Sequence, residues 1–256
     1  MPLQMLLIVP VYCDPVLSQP IPRCASLSLS LAASLLGRIH SLHSCGVPLV
    51  NLHSGLCRST LYGITYEVPE DEFTINLKSI SPDKFRLSSF ERQTINHECM
   101  HLLAFVHEHQ APERSKHFSF DRSKVHEAYG RDGISAEQIE FNIMDLHPPE
   151  ALENYSPFDL DSVTLYQFPG YIMQNGGATN ANKNLSDTDK AVLVLNYARL
   201  DPGPLVSEWT VAHAADVIGI KGEWREKIVA ATHPQDIRRL YSDWSKSPQR
   251  DQQGEA

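Results

Sequence analysis

The segment Thr94-Ile95-Asn96-His97-Glu98-Cys99-Met100-His101 places two histidines four residues apart, with a glutamate beside the first. On an α-helix such histidines are separated by about 400° of rotation, so both imidazoles leave one face a turn apart. Two neutral imidazoles so arranged can bind a single Zn²⁺ at about 2.0–2.1 Å. Glu98 is rotated by about 100° from His97 and so flanks the metal without ligating it. From that place a carboxylate can take a proton from a water at the metal. These residue types point to metal-assisted hydrolysis.

His107 follows six residues after His101. A third histidine at that fixed spacing arises in roughly 0.2% of shuffled chains, so chance accounts for it poorly. If the helix simply continued, His107 would lie about 240° around and roughly 9 Å along from His101, facing away. The chain must therefore leave the helix between Leu102 and His107. A turn of that kind favours a residue at positive φ, which glycine adopts at least cost.

Other segments must position this one. Ser88 with Glu91 forms a capping box that opens a helix running to about Ala104. Upstream, Phe73 to Lys78 alternates apolar and polar β-formers and reads as a half-buried strand, broken by Ser81-Pro82-Asp83-Lys84. Downstream, Asp121 caps a short helix through Val125 and Tyr129. Ser135 with Gln138 caps another that carries Ile139, Phe141 and Ile143 and closes at Pro148-Pro149. Asp161 to Tyr166 is irregular, and Gly176-Gly177 marks a long loop. Ser186 to Asp189 opens a last core helix with Val192, Leu193, Leu195 and Tyr197 to bury.

Pro202-Gly203-Pro204 looks like a boundary. Beyond it, helical patterns at 210–218, 222–231 and 234–245 surround all three tryptophans, Trp209, Trp224 and Trp244. Tryptophan anchors a small core well. Either these helices form a small appendage of their own, or they pack on the main domain.

With these residues in view, His97-Glu98-Cys99-Met100-His101-Leu102-Leu103-Ala104-Phe105-Val106-His107-Glu108 resembles the long zinc signature of metzincin metallopeptidases. Glu108 directly after the third histidine makes it most similar to the astacin branch, and His109-Gln110-Ala111-Pro112 resembles the continuation in microbial members. Asp161 to Tyr166 stands where that family has its Met-turn. Leu185-Ser186-Asp187-Thr188-Asp189 is similar to the segment opening its last helix. The resemblance covers roughly residues 60–200. It implies His97, His101 and His107 as ligands of one catalytic Zn²⁺ and Glu98 as the base. Tyr166 corresponds to the tyrosine that moves between metal and oxyanion, and Thr74–Lys78 to the edge strand along which substrate lies. Cys99 and Met100 read as core contacts, and His109 as an outer-layer or surface residue.

Three positions depart from the family pattern. Ala104 stands for the turn glycine, and Thr164 for the methionine that forms an apolar floor beneath the zinc. The family's strand-rich amino-terminal half has no clear counterpart in residues 1–57.

Composition bounds the rest. The chain has 256 residues, 42% hydrophobic and 21% charged, with a formal net charge of -9. That length buries a large core without disulfides. The acidic balance argues against a nucleic-acid binder, and no apolar run approaches the roughly 20 residues of a membrane span. Cys13, Cys24, Cys45 and Cys57 crowd the first stretch without a CxxC pair, so they suggest neither a zinc ribbon nor a disulfide scaffold. Met5 to Val9 is apolar but lacks a preceding basic residue, and Cys24 to Gly37 is uncharged but short, so neither makes a convincing signal peptide. Extracellular placement follows from the family resemblance alone, and the oligomeric state is left open.

The expected fold class is α+β and metzincin-like, with the active-site helix between an upper β-sheet and an irregular lower half. The expected divisions are a leader over 1–57, a zinc metallopeptidase domain over 58–201 and a helical appendage over 205–248. The expected function is a zinc-dependent metalloendopeptidase acting on protein or peptide substrates. Two other readings fit the same residues: a catalytically weak or inactive zinc-binding relative that binds peptides, and an interaction protein working through its tryptophan-bearing tail.

Overall fold

The computed structural model describes residues 87–198, 209–248 and 250, together with the backbone of three two-residue strands. The strands are β1 (Val50–Asn51), β2 (Arg58–Ser59) and β3 (Ile75–Asn76). They pair in the order β1-β3-β2, with β1 parallel and β2 antiparallel to β3. β3 falls inside the strand expected over Phe73–Lys78. Among the described strands it is the middle one, paired on both sides, rather than the edge that the resemblance implies. β1 lies within the stretch assigned to the leader, yet it shares this sheet. The cysteines of that stretch and its two apolar runs lie outside the described residues.

Helix α1 (Ser89–Leu102) carries the two spaced histidines. Its capping box is closed in both directions: the Glu91 amide donates to Ser88 Oγ at 3.2 Å, and the Ser88 amide to Glu91 Oε2 at 2.7 Å. The helix stops two residues short of Ala104, and its last turn shows why. The Phe105 amide donates to Met100 O at 3.0 Å and the Ala104 amide to His101 O at 2.8 Å. This is a Schellman termination, which requires a left-handed residue after the C-cap. Ala104 supplies it at φ 65, the one non-glycine at positive φ among the described residues.

An alanine held there carries a steric penalty of about 1–2 kcal/mol that glycine would not. Glycine also enlarges the entropy of the unfolded chain, offsetting up to about 1 kcal/mol. Ala104→Gly is therefore expected to stabilise the fold by roughly a few tenths to one kcal/mol, read by urea denaturation. A clear loss of stability would contradict this account of the turn.

Three helical pieces follow, each begun as the sequence indicates. The Asp121 side chain accepts the Lys124 amide at 3.2 Å and opens α2 (Arg122–Gly130). A Ser135–Gln138 capping box opens α3 (Ala136–Ile139), which widens into a π-helical run over Glu140–Met144. Ile139 and Ile143, four residues apart, share the core face, while Phe141 between them points outward and is 44% exposed. Phe141, expected among the apolar residues of that helix, is thus not a core residue. A further capping box, Ser186 with Asp189, opens α4 (Asp187–Asn196), which buries Ala191, Val192 and Leu195. Leu193 and the C-cap residue Tyr197 are only half-buried.

The carboxy-terminal helices are α5 (Val211–Ile218), α6 (Gly222–Ala230) and α7 (Pro234–Ser245). Their apolar faces join α4 in one core that includes Ala191, Leu195, Ala215, Ile228, Tyr241 and Trp244. Only Trp244 of the three tryptophans is fully buried, while Trp209 and Trp224 lie at the rim. These helices therefore pack on the main domain through α4. A second core joins Val125, Tyr129, Ile139, Ile143, Phe168 and Ile172. Phe105 leans on the first core and Tyr166 on the second, so the segments around the histidines draw on both. Among the described residues, no helix is long and apolar enough to cross a membrane.

Candidate metal centre

The end of α1 and the turn beyond it bring three histidines together. His97, His101 and His107 are 8%, 2% and 4% exposed. Their Nε2 atoms lie 3.0 Å (His97 to His101), 3.0 Å (His101 to His107) and 3.3 Å (His97 to His107) apart. A tetrahedral ion with bonds of about 2.0–2.1 Å requires ligand nitrogens about 3.3–3.4 Å apart, close to this spacing. Among the described residues they form the one group of this kind able to hold a metal ion.

The outer nitrogens decide which atoms face inward. His97 Nδ1 donates to Val163 O at 2.9 Å and His101 Nδ1 to Phe105 O at 2.7 Å. Each ring's proton is thereby placed on Nδ1, leaving Nε2 as a lone pair. Lone pairs converging on one point repel unless a cation lies between them, so the donor set fits a metal. Burial also keeps these rings neutral. It is the largest cause lowering the pKa of all three, with His101 brought down to about 3.

Glu98, next to His97 on α1, is fully buried. Tyr166 comes from the turn after Asp161, and its ring stacks 5.7 Å from His97 and lies 4.4 Å from His107. Burial, and then the charge of Glu98, push the Tyr166 hydroxyl well above its ordinary pKa, so it stays a donor at neutral pH. Met100 is buried, as a core contact should be, whereas Cys99 is only half-buried.

His109 lies inside the protein rather than on its surface. It is fully buried, with its ring 5.1 Å from His107 and 4.5 Å from Tyr166. Its Nε2 donates to Asn142 O at 2.9 Å, which turns that nitrogen away from the triad.

The sequence gives no sign of what holds this segment. The carbonyls around the π-helical run do so: Phe141 O accepts Gln110 Nε2 at 2.7 Å, and Ile143 O and Met144 O accept the Arg114 guanidinium at 3.0 Å each. Such a run often marks functional surroundings, because its carbonyls leave the ordinary helical ladder.

Glu108 extends the frame in the other direction. Its Oε1 accepts the Asp159 amide at 2.8 Å, and Asp159 Oδ2 accepts Ser186 Oγ at 2.5 Å. Burial raises the Glu108 pKa to about 8. Thr164, at the methionine position of the resemblance, is buried and bonds through its hydroxyl to Ser162 Oγ at 2.9 Å. The floor at this position is polar rather than apolar.

Three buried imidazoles on a helix and the turn after it, with Tyr166 of an irregular loop packed against them, form a candidate metal site. Residues 87–188 match the family model of the astacin peptidases. A solved structure of myroilysin is similar in fold, with a TM-score of 0.51 and 23% identity over 66% of this chain and 87% of that one. A crystal structure of myroilysin gives 0.41 and 22% identity over 67% and 80%, a likeness too weak to add to the first. No curated protein matches the chain significantly. Over residues 87–188 the chain is thus similar to the astacin peptidases, and its fold is similar to that of myroilysin.

Proposed function

We propose that the chain is a metalloendopeptidase holding one Zn²⁺ on His97, His101 and His107, with Glu98 as general base. The observation that carries this reading is the convergence of three buried Nε2 atoms within 3.0–3.3 Å of one another. A Zn²⁺ held there would supply Lewis-acid chemistry, making a water at the site more acidic and polarising the scissile carbonyl. Glu98 accepts the proton of the attacking water and delivers it to the leaving amine. Tyr166, held protonated, donates its hydrogen bond to the oxyanion that develops on the substrate. No covalent intermediate with the protein is needed.

Three protein ligands leave a fourth position for substrate chemistry, whereas structural zinc sites are normally closed. That counts against a tail-driven interaction protein with a purely structural ion. A catalytically weak, peptide-binding relative is the second reading, favoured by Ala104 at φ 65 and by the polar Thr164. The proposal includes a sheet-bearing upper half over α1, a catalytic domain over 58–201 with the helical segment 205–248 beside it, and action outside the cell.

The test is zinc analysis of the purified protein with casein hydrolysis, using Glu98→Ala as control. About one zinc per chain and cleavage lost in the variant support endopeptidase action. Zinc without any cleavage would favour the peptide-binding relative. Within the reaction, Tyr166→Phe is expected to lower kcat by about 10²-fold, the range for one oxyanion donor, with little change in KM. An effect confined to KM would remove Tyr166 from that role.

A further inference from the structure

Asp189 sits at the third position of α4, where its side chain completes a capping box by accepting the Ser186 amide at 3.0 Å on Oδ2. Capping uses one lone pair of a group that has about four. The same Oδ2 also accepts the Val163 amide at 2.8 Å, and Oδ1 accepts Ser162 Oγ at 2.8 Å. Asp189 is 4% exposed, so these bonds act with little competition from water.

The proton positions along this chain follow from counting donors. The single hydroxyl proton of Ser162 goes to Asp189. Ser162 Oγ is then left as an acceptor for the Thr164 amide at 3.1 Å and the Thr164 hydroxyl at 2.9 Å. Every hydrogen on the turn from Ser162 to Thr164 that takes part points, directly or in sequence, toward one carboxylate.

Val163 links that carboxylate to the metal centre. Its N–H is held by Asp189, and its C=O accepts His97 Nδ1 at 2.9 Å. Fixing a residue's N–H and its C=O at once leaves its orientation little freedom. We propose that Asp189 is a positioning residue for His97, acting through Val163, and that Ser162 and Thr164 complete the polar chain at this otherwise apolar turn. The inference rests on the triad being a metal site, but it concerns which residue outside the triad sets a ligand's orientation and tautomer.

Outer partners of metal-bound histidines are typically worth 10–100-fold in metal affinity. The test titrates Zn²⁺ against a competing chelator in wild type, Asp189→Ala, Asp189→Asn and Ser186→Ala, with thermal unfolding of each metal-free protein in parallel. Ser186→Ala removes the other half of the cap, and the Ser186 bond to Asp159 with it, while leaving Asp189 on Val163. Asp189→Ala is expected to weaken Zn²⁺ binding about 10–100-fold. Asp189→Asn, which keeps an acceptor for the Val163 amide, should restore most of that loss. Ser186→Ala should lose stability and keep wild-type affinity.

Wild-type affinity in Asp189→Ala would overturn the proposal. So would an equal loss in Ser186→Ala, since the effect would then belong to helix stability. If Asp189→Ala does not fold, the His97 Nδ1–H resonance of metal-free Asp189→Ser, whose shorter side chain gives up the Val163 amide, decides: a shift from wild type supports the link, and an unchanged resonance refutes it. A wild-type protein that takes up no Zn²⁺ would instead refute the metal centre itself, and this proposal with it.

Discussion

Glu98→Gln is expected to retain zinc and to lose peptide hydrolysis by about 10²–10⁴-fold, the usual worth of a positioned general base. Glutamine keeps the size and buried position of Glu98 but accepts no proton near neutral pH. The three imidazoles are untouched, so metal content should match wild type while turnover collapses. Because the proton transfer belongs to the transition state, kcat and kcat/KM should fall together. Wild-type rates in zinc-loaded Glu98→Gln would mean that another group moves the proton.

The second large effect concerns the ligands. His107→Ala is expected to leave the protein largely metal-free, because two imidazoles seldom hold a catalytic zinc well. His109 is the neighbour that could mask this result, being buried 5.1 Å from His107 by ring centroids. Its Nε2 already donates to Asn142 O, so it should not substitute without breaking that bond. His107→Ala with and without His109→Ala should therefore bind zinc equally poorly, and His109→Ala alone should keep its metal. Full zinc occupancy in His107→Ala would remove His107 from the ligand set.

What can be read in the sequence is whatever is local. Helical spacing places His97 and His101 on one face, and the geometry of a continuing helix forces a break before His107. The break occurs at Ala104, held at φ 65 because the Schellman turn requires it. The caps at Ser88, Asp121, Ser135 and Ser186 are legible for the same reason, since each is satisfied within three residues.

What stays hidden depends on distant partners. Asp189 reads as a cap, yet its side chain also holds Val163, 26 residues earlier. Arg114 reads as a loop arginine, yet its guanidinium bonds carbonyls 29 and 30 residues further on. The π-helical widening after Ile139 has no sequence sign here either. Nor does helical periodicity tell which tryptophan is buried. Trp244 is chosen by the way α7 meets α4, a tertiary choice.

The most direct measurement is hydrolysis of an internally quenched peptide as zinc is removed from the wild-type protein by chelation and then returned. Cleavage is expected to disappear with the metal and to come back when about one Zn²⁺ per chain is restored. Cleavage that persists in the metal-free protein, or its absence when the site is fully loaded, would contradict a zinc-dependent endopeptidase.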